Sequence, residues 1–226
     1  MHADLLVFDM DGVLVDVTES YREAIRETVR HFTGQAITPE AVQDYKNRGG
    51  WNNDWALSQR IIRDLGREVD YDTVSGYFQS IFFTDSGGGL ILKEKWLPRA
   101  GLMERLGERR RLAVFTGRPR SDAEYTLKRF APHLHWDPVI TMEDVVKHKP
   151  EPEGLLRIRD SAAGKRLCYI GDTVDDAQCA RRAGVPFVGV AAPANPRYAE
   201  LKELLLREGA DAVLEDVNQL EDVLAS

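Results

Sequence analysis

Short unbroken apolar runs alternate along this chain with longer stretches in which apolar residues recur every three or four positions. The runs cover residues 5–8, 112–116, 139–141, 167–170, 187–190 and 212–214. A strand buried on both faces loses the polar alternation of a half-exposed strand, so these runs predict a parallel sheet. The stretches 121–130, 152–159, 175–183 and 197–208 have helical spacing and lie between the runs. Strand and helix in alternation predict an α/β core, a Rossmann-like doubly wound sheet with helices on both faces.

The rhythm fails between the first and second runs. From residue 18 to about 96 the pattern is helical throughout, with helices predicted over 19–32, 39–46, 53–65 and 71–83. Thr38 before Pro39 is a helix start, and Gly34 and Gly66 are stops. The pattern therefore predicts an all-helical domain over residues 17–96, inserted into a core built from residues 1–16 and 97–226. Near the return to the core, the stretch from Ser86 to Gly89 reads as a flexible hinge or turn.

Composition narrows the function without naming it. With 226 residues, a net charge of −7 and a pI near 5.3, the chain lacks the basic surplus of a protein that tracks nucleic-acid phosphates. The cluster Arg109, Arg110 and Arg111 reads as a solvated face. Cys168 and Cys179 are the only cysteines, and Cys168 lies in an apolar run, so no disulfide framework is expected and a reducing cytoplasm fits. No charged-then-apolar leader precedes Leu5 and no run is long enough to span a bilayer, so the expectation is a soluble, unexported protein.

Ligands of open α/β sheets bind beyond the carboxyl ends of the strands, so chemistry is sought just past each apolar run. The first run ends in Asp9, Asp11 and Gly12, the second in Thr116 and Gly117, and the fourth in Gly171, Asp172, Asp175 and Asp176. The third leads to Lys149, which the prolines at 150 and 152 place on a stiff, extended backbone. Each Asp alone is more simply a helix cap or turn former. Together, Asp9, Asp11 and Asp172 crowd acidic oxygens as a hard cation such as Mg²⁺ prefers, while Thr116, the Gly117 N–H and Lys149 suit an anion. A phosphate group satisfies both halves.

The segments DMDGVLVD, VFTGRP, KHKPEPEG and IGDTVDD resemble, in order, the four motifs of the haloacid dehalogenase-like hydrolases. The helical insert is similar to the C1 cap of the subfamily that contains phosphoglycolate phosphatase and β-phosphoglucomutase. The resemblance implies that Asp9 is a nucleophile toward phosphorus and that Asp11 protonates the leaving oxygen and then activates water. It implies further that Thr116 and Gly117 bind phosphoryl oxygens, that Lys149 offsets charge, and that Asp9, the Asp11 carbonyl, Asp172 and Asp176 hold Mg²⁺. Arg118 departs from the usual second motif, either as a substrate contact or as the partner of a surface acid. A carbon–halogen hydrolase of the family does without the second Asp and the metal, so Asp11 and Asp172 favour phosphoryl transfer.

In the insert, Arg48, Asn52 and Asn53 lie in a Gly-Gly-Trp-Asn-Asn loop that can recognise the leaving group, while Trp51 and Trp55 can simply pack the cap. Mutase-like members carry a Ser-Arg pair where this chain has Asn52 and Asn53. The expected activity is therefore a Mg²⁺-dependent phosphatase for a small phosphate monoester, with a phosphomutase and a non-catalytic phosphate-binding protein as rivals.

Overall fold

The computed structural model describes residues 1–84 and 88–224. In chain order the elements are β1 (Leu5–Phe8), β2 (Val15–Asp16), α1 (Tyr21–Thr33), α2 (Pro39–Asn47), α3 (Asp54–Asp64), α4 (Tyr71–Phe82) and β3 (Lys95–Trp96). There follow α5 (Leu102–Arg109), β4 (Arg111–Phe115), α6 (Arg120–Phe130), β5 (Trp136–Ile140), α7 (Glu153–Ser161) and β6 (Leu167–Gly171). The chain finishes with α8 (Val174–Ala183), β7 (Phe187–Val190), α9 (Tyr198–Arg207), β8 (Ala212–Leu214) and α10 (Leu220–Val223). Two compact units result, Met1–Val15 with Trp96–Ser226, and Asp16–Lys95.

The first unit is a six-stranded parallel sheet in the order β5-β4-β1-β6-β7-β8, flanked by helices. All four side chains of β1 are fully buried, at roughly 1.5–3 kcal/mol per large apolar group removed from water. β1 lies between β4 and β6, with Phe8 level with both Val114 and Ile170. Successive strands are added first on one side of β1 and then on the other, so the ends of β4, β1 and β6 converge where the strand order reverses. β5 extends three residues further toward the amino end than its apolar run implies, because an edge strand tolerates Pro138.

The second unit contains α1 to α4. Their apolar stripes meet in a core that includes Ala24, Ile25, Leu57, Ile61 and Phe78, and the Tyr21 and Phe82 rings lie 3.9 Å apart. Thr38, Asn53 and Asp70 cap α2, α3 and α4 by accepting backbone N–H bonds, and Gly34 closes α1 with φ 73°. β2 and β3 form a separate two-stranded sheet at the points where the chain passes between units. Of the stretch read as a hinge, Ser86 and Gly87 lie outside the described residues, whereas the Gly88 N–H donates to Thr84 Oγ1 at 2.9 Å.

Candidate active site

Asp9 follows β1 directly, and its N–H bonds the Ile170 carbonyl at 2.8 Å, continuing the ladder to β6. Its side chain is buried, and Oδ1 accepts a 2.8 Å bond from Lys149 Nζ. The same ammonium donates to Asp176 Oδ1, also at 2.8 Å, and lies 4.9 Å from the centre of the Phe115 ring. The extended stretch expected around Lys149 is instead a turn, closed by the Glu151 N–H on the His148 carbonyl at 2.9 Å, with a cis bond to Pro150. That turn brings a lysine 140 positions away in sequence onto Asp9.

Asp176 is held on every side. Besides Lys149, its Oδ1 accepts from Tyr169 Oη at 2.6 Å, and its Oδ2 accepts from Thr173 Oγ1 at 2.6 Å and from the Thr173 N–H at 3.1 Å. Thr173 and Asp176 are the capping box of α8, with Thr173 Oγ1 accepting the Asp176 N–H in return. Both carboxylate oxygens therefore already have protein donors. Tyr169 was not among the residues singled out from sequence; its signal is a lone hydroxyl in an otherwise apolar run. The Thr-x-x-Asp spacing of residues 173–176 is readable as a capping box.

Carboxylate oxygens of Asp9, Asp172 and Asp176 all lie within 4.8 Å of one another. Two close approaches of backbone make this possible. A side chain at Gly12, which has φ 72°, would place its Cβ 2.1 Å from Asp172 Oδ2, and one at Gly171 would meet the Asp176 Cβ at 2.5 Å. The cluster sets several buried or half-buried carboxylates against one ammonium, leaving excess negative charge in low dielectric. Burial raises the Asp9 carboxyl to about 7, against the opposing pull of Lys149 and with the charges of Asp176 and Asp11 adding to the rise. Burial would also depress Lys149, but the charges of Asp176 and Asp9 outweigh it and hold the ammonium protonated, its pKa raised. Burial works against ionised Asp176 too, yet Lys149 and the Thr173 and Tyr169 donors hold it below the usual carboxylate value. A donor set of hard oxygens whose negative charge a single ammonium does not balance fits a divalent cation such as Mg²⁺.

Thr116 is buried at the end of β4, and its hydroxyl accepts the Arg118 N–H at 3.2 Å. Arg118 is neither at the surface nor paired with a surface acid. Its guanidinium is buried and donates to Asp11 Oδ1 and to Thr126 Oγ1. Gly117 is half-buried between them. In the helical unit, Asn53 is engaged structurally, accepting from the Ala56 N–H at 2.9 Å and donating to Tyr71 Oη at 3.0 Å. Arg48 is exposed and lies 5.1 Å from the Tyr45 ring centre. Trp51 packs edge-on to Tyr45, and Lys46 pairs with Asp54 in a largely buried contact that the sequence reading did not anticipate.

With this geometry in place, comparison with known proteins is decisive for the family. The model of the haloacid dehalogenase-like hydrolases matches residues 3–184. The chain belongs to that family. It is 35% identical over 198 residues to an imidazoleglycerol-phosphate dehydratase of Phytophthora nicotianae, a match that covers 83% of this chain and 43% of the relative's length. It is 27% identical to a fructose-1-phosphate phosphatase of Escherichia coli, covering 82% of this chain and 95% of that one. A hydrolase structure from Pseudomonas syringae superposes with a TM-score of 0.73 at 21% identity, covering 98% of this chain and all of that one, and so shares the fold. No helix among the described residues is long and apolar enough to cross a membrane.

Proposed function

We propose that the protein is a Mg²⁺-dependent phosphatase that hydrolyses a small phosphate monoester through an aspartyl-phosphate on Asp9. The observation that carries this reading is the pairing of buried Asp9 with Lys149, beside Asp172 and with Asp11 two positions after Asp9, at the convergent ends of β1, β4 and β6. A binding protein has no use for a buried carboxylate placed to attack. In the first step an Asp9 oxygen forms a bond to phosphorus, the phosphorus–oxygen bond to the leaving group breaks, and Asp11 gives that oxygen its proton. In the second, Asp11 takes a proton from water as the water oxygen attacks phosphorus, and Asp9 departs as carboxylate. Thr116 and the Gly117 N–H bind phosphoryl oxygens, and Lys149 offsets charge between Asp9 and phosphate. Asp9, Asp172 and the Asp11 carbonyl would hold Mg²⁺, with Asp176, which orients Lys149, as a direct or water-mediated ligand. Bound there, the metal supplies positive charge to the carboxylates and the phosphoryl group.

Arg48 and Asn52 are the cap residues we assign to leaving-group selection. The buried, unpaired thiols of Cys168 and Cys179 suit a reducing cytoplasm. Phosphate release from a panel of sugar, carboxylated and imidazole-bearing phosphate monoesters, with Mg²⁺ and with chelator, tests the proposal. The imidazole esters belong in the panel because the relative of 35% identity is named for such a molecule. Mg²⁺-dependent release from at least one ester is expected. Full turnover in excess chelator would remove the metal, and efficient conversion of a sugar 1-phosphate to its 6-phosphate isomer would replace hydrolysis by mutase chemistry.

A further inference from the structure

Arg118 is the largest fully buried side chain among the described residues. Desolvating a guanidinium costs several kcal/mol unless its donors are met, so its placement needs a reason. Its backbone is pinned by its own N–H on Thr116 Oγ1 and by the Met142 N–H on its carbonyl at 3.1 Å. Nε donates to Asp11 Oδ1 at 2.7 Å, Nη2 lies 2.5 Å from the same oxygen, and Nη1 donates to Thr126 Oγ1 at 2.9 Å. The Arg118 side chain is 1% exposed and that of Asp11 28%, so the guanidinium grips the acid from the protein interior.

We infer that Arg118 is a positioning residue that fixes the Asp11 carboxylate through Oδ1, so that proton exchange with the leaving group falls to Oδ2. A carboxylate on a short side chain otherwise turns freely about its last bond, and a planar guanidinium that donates Nε to one oxygen, with Nη2 in ion-pair contact with the same atom, restricts both its position and its plane. Thr126 on α6 fixes the guanidinium in turn. This inference rests on the assignment of Asp11 as acid and base. It predicts that losing Arg118 matters in proportion to how much the leaving group needs a proton.

The test measures kcat and KM for Asp11→Asn, Arg118→Met, the double variant and Thr126→Val. The substrates are the alkyl phosphate turned over best in the panel above and 4-nitrophenyl phosphate, whose phenolate departs with little protonation. Because kcat/KM reports steps through departure of the leaving group, Arg118→Met should lower it on the order of 100-fold for the alkyl ester, the low end of general-acid effects, with KM little changed. The aryl ester should lose less than about 5-fold, and the double variant should be no worse than Asp11→Asn on either. Thr126→Val, which keeps the side-chain shape, should show the same ester bias at several-fold, and it decides the matter if Arg118→Met does not fold. Equal losses on both esters would reduce Arg118 to a scaffold and overturn the inference. Wild-type rates for Arg118→Met beside a crippled Asp11→Asn would also overturn it while leaving the acid assignment intact; wild-type rates for Asp11→Asn on the alkyl ester would strike both.

Discussion

At the amino ends of the strands, Arg166 pairs with Asp4 at 3.0 Å and Arg111 with Asp137 at 2.7 Å, through side chains that are 36% to 60% exposed. At the carboxyl ends Lys149 meets Asp9 and Asp176 at 2.8 Å, and none of the three is more than 7% exposed. The partners are of similar kinds and the distances alike, but the physics differs. Exposed pairs contribute about 0–1 kcal/mol each, because water and salt screen them. Buried charges give up hydration worth several kcal/mol apiece, and an apolar replacement of the same volume is often as stable or more so. Stability alone therefore does not account for the carboxyl-end cluster. The amino end also has an open cavity of about 430 Å³ lined by Glu104, Arg111, His133, His135 and Asp137, yet its ion pairs remain at the surface. A cavity alone does not mark a site; convergent buried charge does.

The sharpest way to break this contrast is Lys149→Met. It leaves Asp9 and Asp176 buried without their ammonium, so unfolding free energy should fall by about 3–5 kcal/mol and kcat by 100-fold to 1000-fold, on the order of a lost charge-stabilising donor. Denaturant unfolding and steady-state rates check both, and near-native values for both would make the cluster no different from the surface pairs.

A smaller effect follows from pH. Burial lifts Asp9 from an ordinary 3.8 to about 7, so in metal-free protein the stability associated with its neutral form is full below 3.8 and is lost as pH rises through about 7. Mg²⁺ requires the ionised carboxylate, so its affinity should weaken by up to about tenfold per pH unit below 7, and the rise in Tm on adding Mg²⁺ should be larger at pH 8 than at pH 6. An equal rise at both values would dissociate Asp9 from the metal. Smallest of all, Arg111→Ala should change stability by less than about 1 kcal/mol and leave turnover as it was, since its partner Asp137 is exposed. A loss comparable to that of Lys149→Met would erase the contrast from the other side.

The same distinction decides what could be read from sequence. β1 and β6 were legible because strands buried on both faces show as continuous apolar runs, and Asp9, Asp11 and Asp172 because they stand immediately beyond those runs. β5 was read short because its run is interrupted by Asp137 and Pro138, and β2 and β3 were missed because each is only two residues long. α5 was not singled out either, although Leu102, Met103 and Leu106 line its buried face. The burial of Arg118 against Asp11 joins positions 107 apart and leaves no periodic trace, as is also true of Lys46 in the helical unit. Arg109 and Arg111 are exposed as a solvated face should be, while Arg110 between them turns inward to donate to the Ala3 carbonyl. Propensity and periodicity report local surroundings, whereas the partner of a buried charge is set by topology.

The central claim, that Asp9 carries the phosphoryl group, is tested most directly by rapid acid quench with a substrate labelled in its phosphate. Wild-type protein should hold label in an acid-stable form released by hydroxylamine, as an acyl phosphate is, and proteolysis should map it to the peptide containing Asp9. Asp9→Asn should hold none and turn nothing over. Steady turnover by Asp9→Asn, or label mapped to any other residue, would contradict the account.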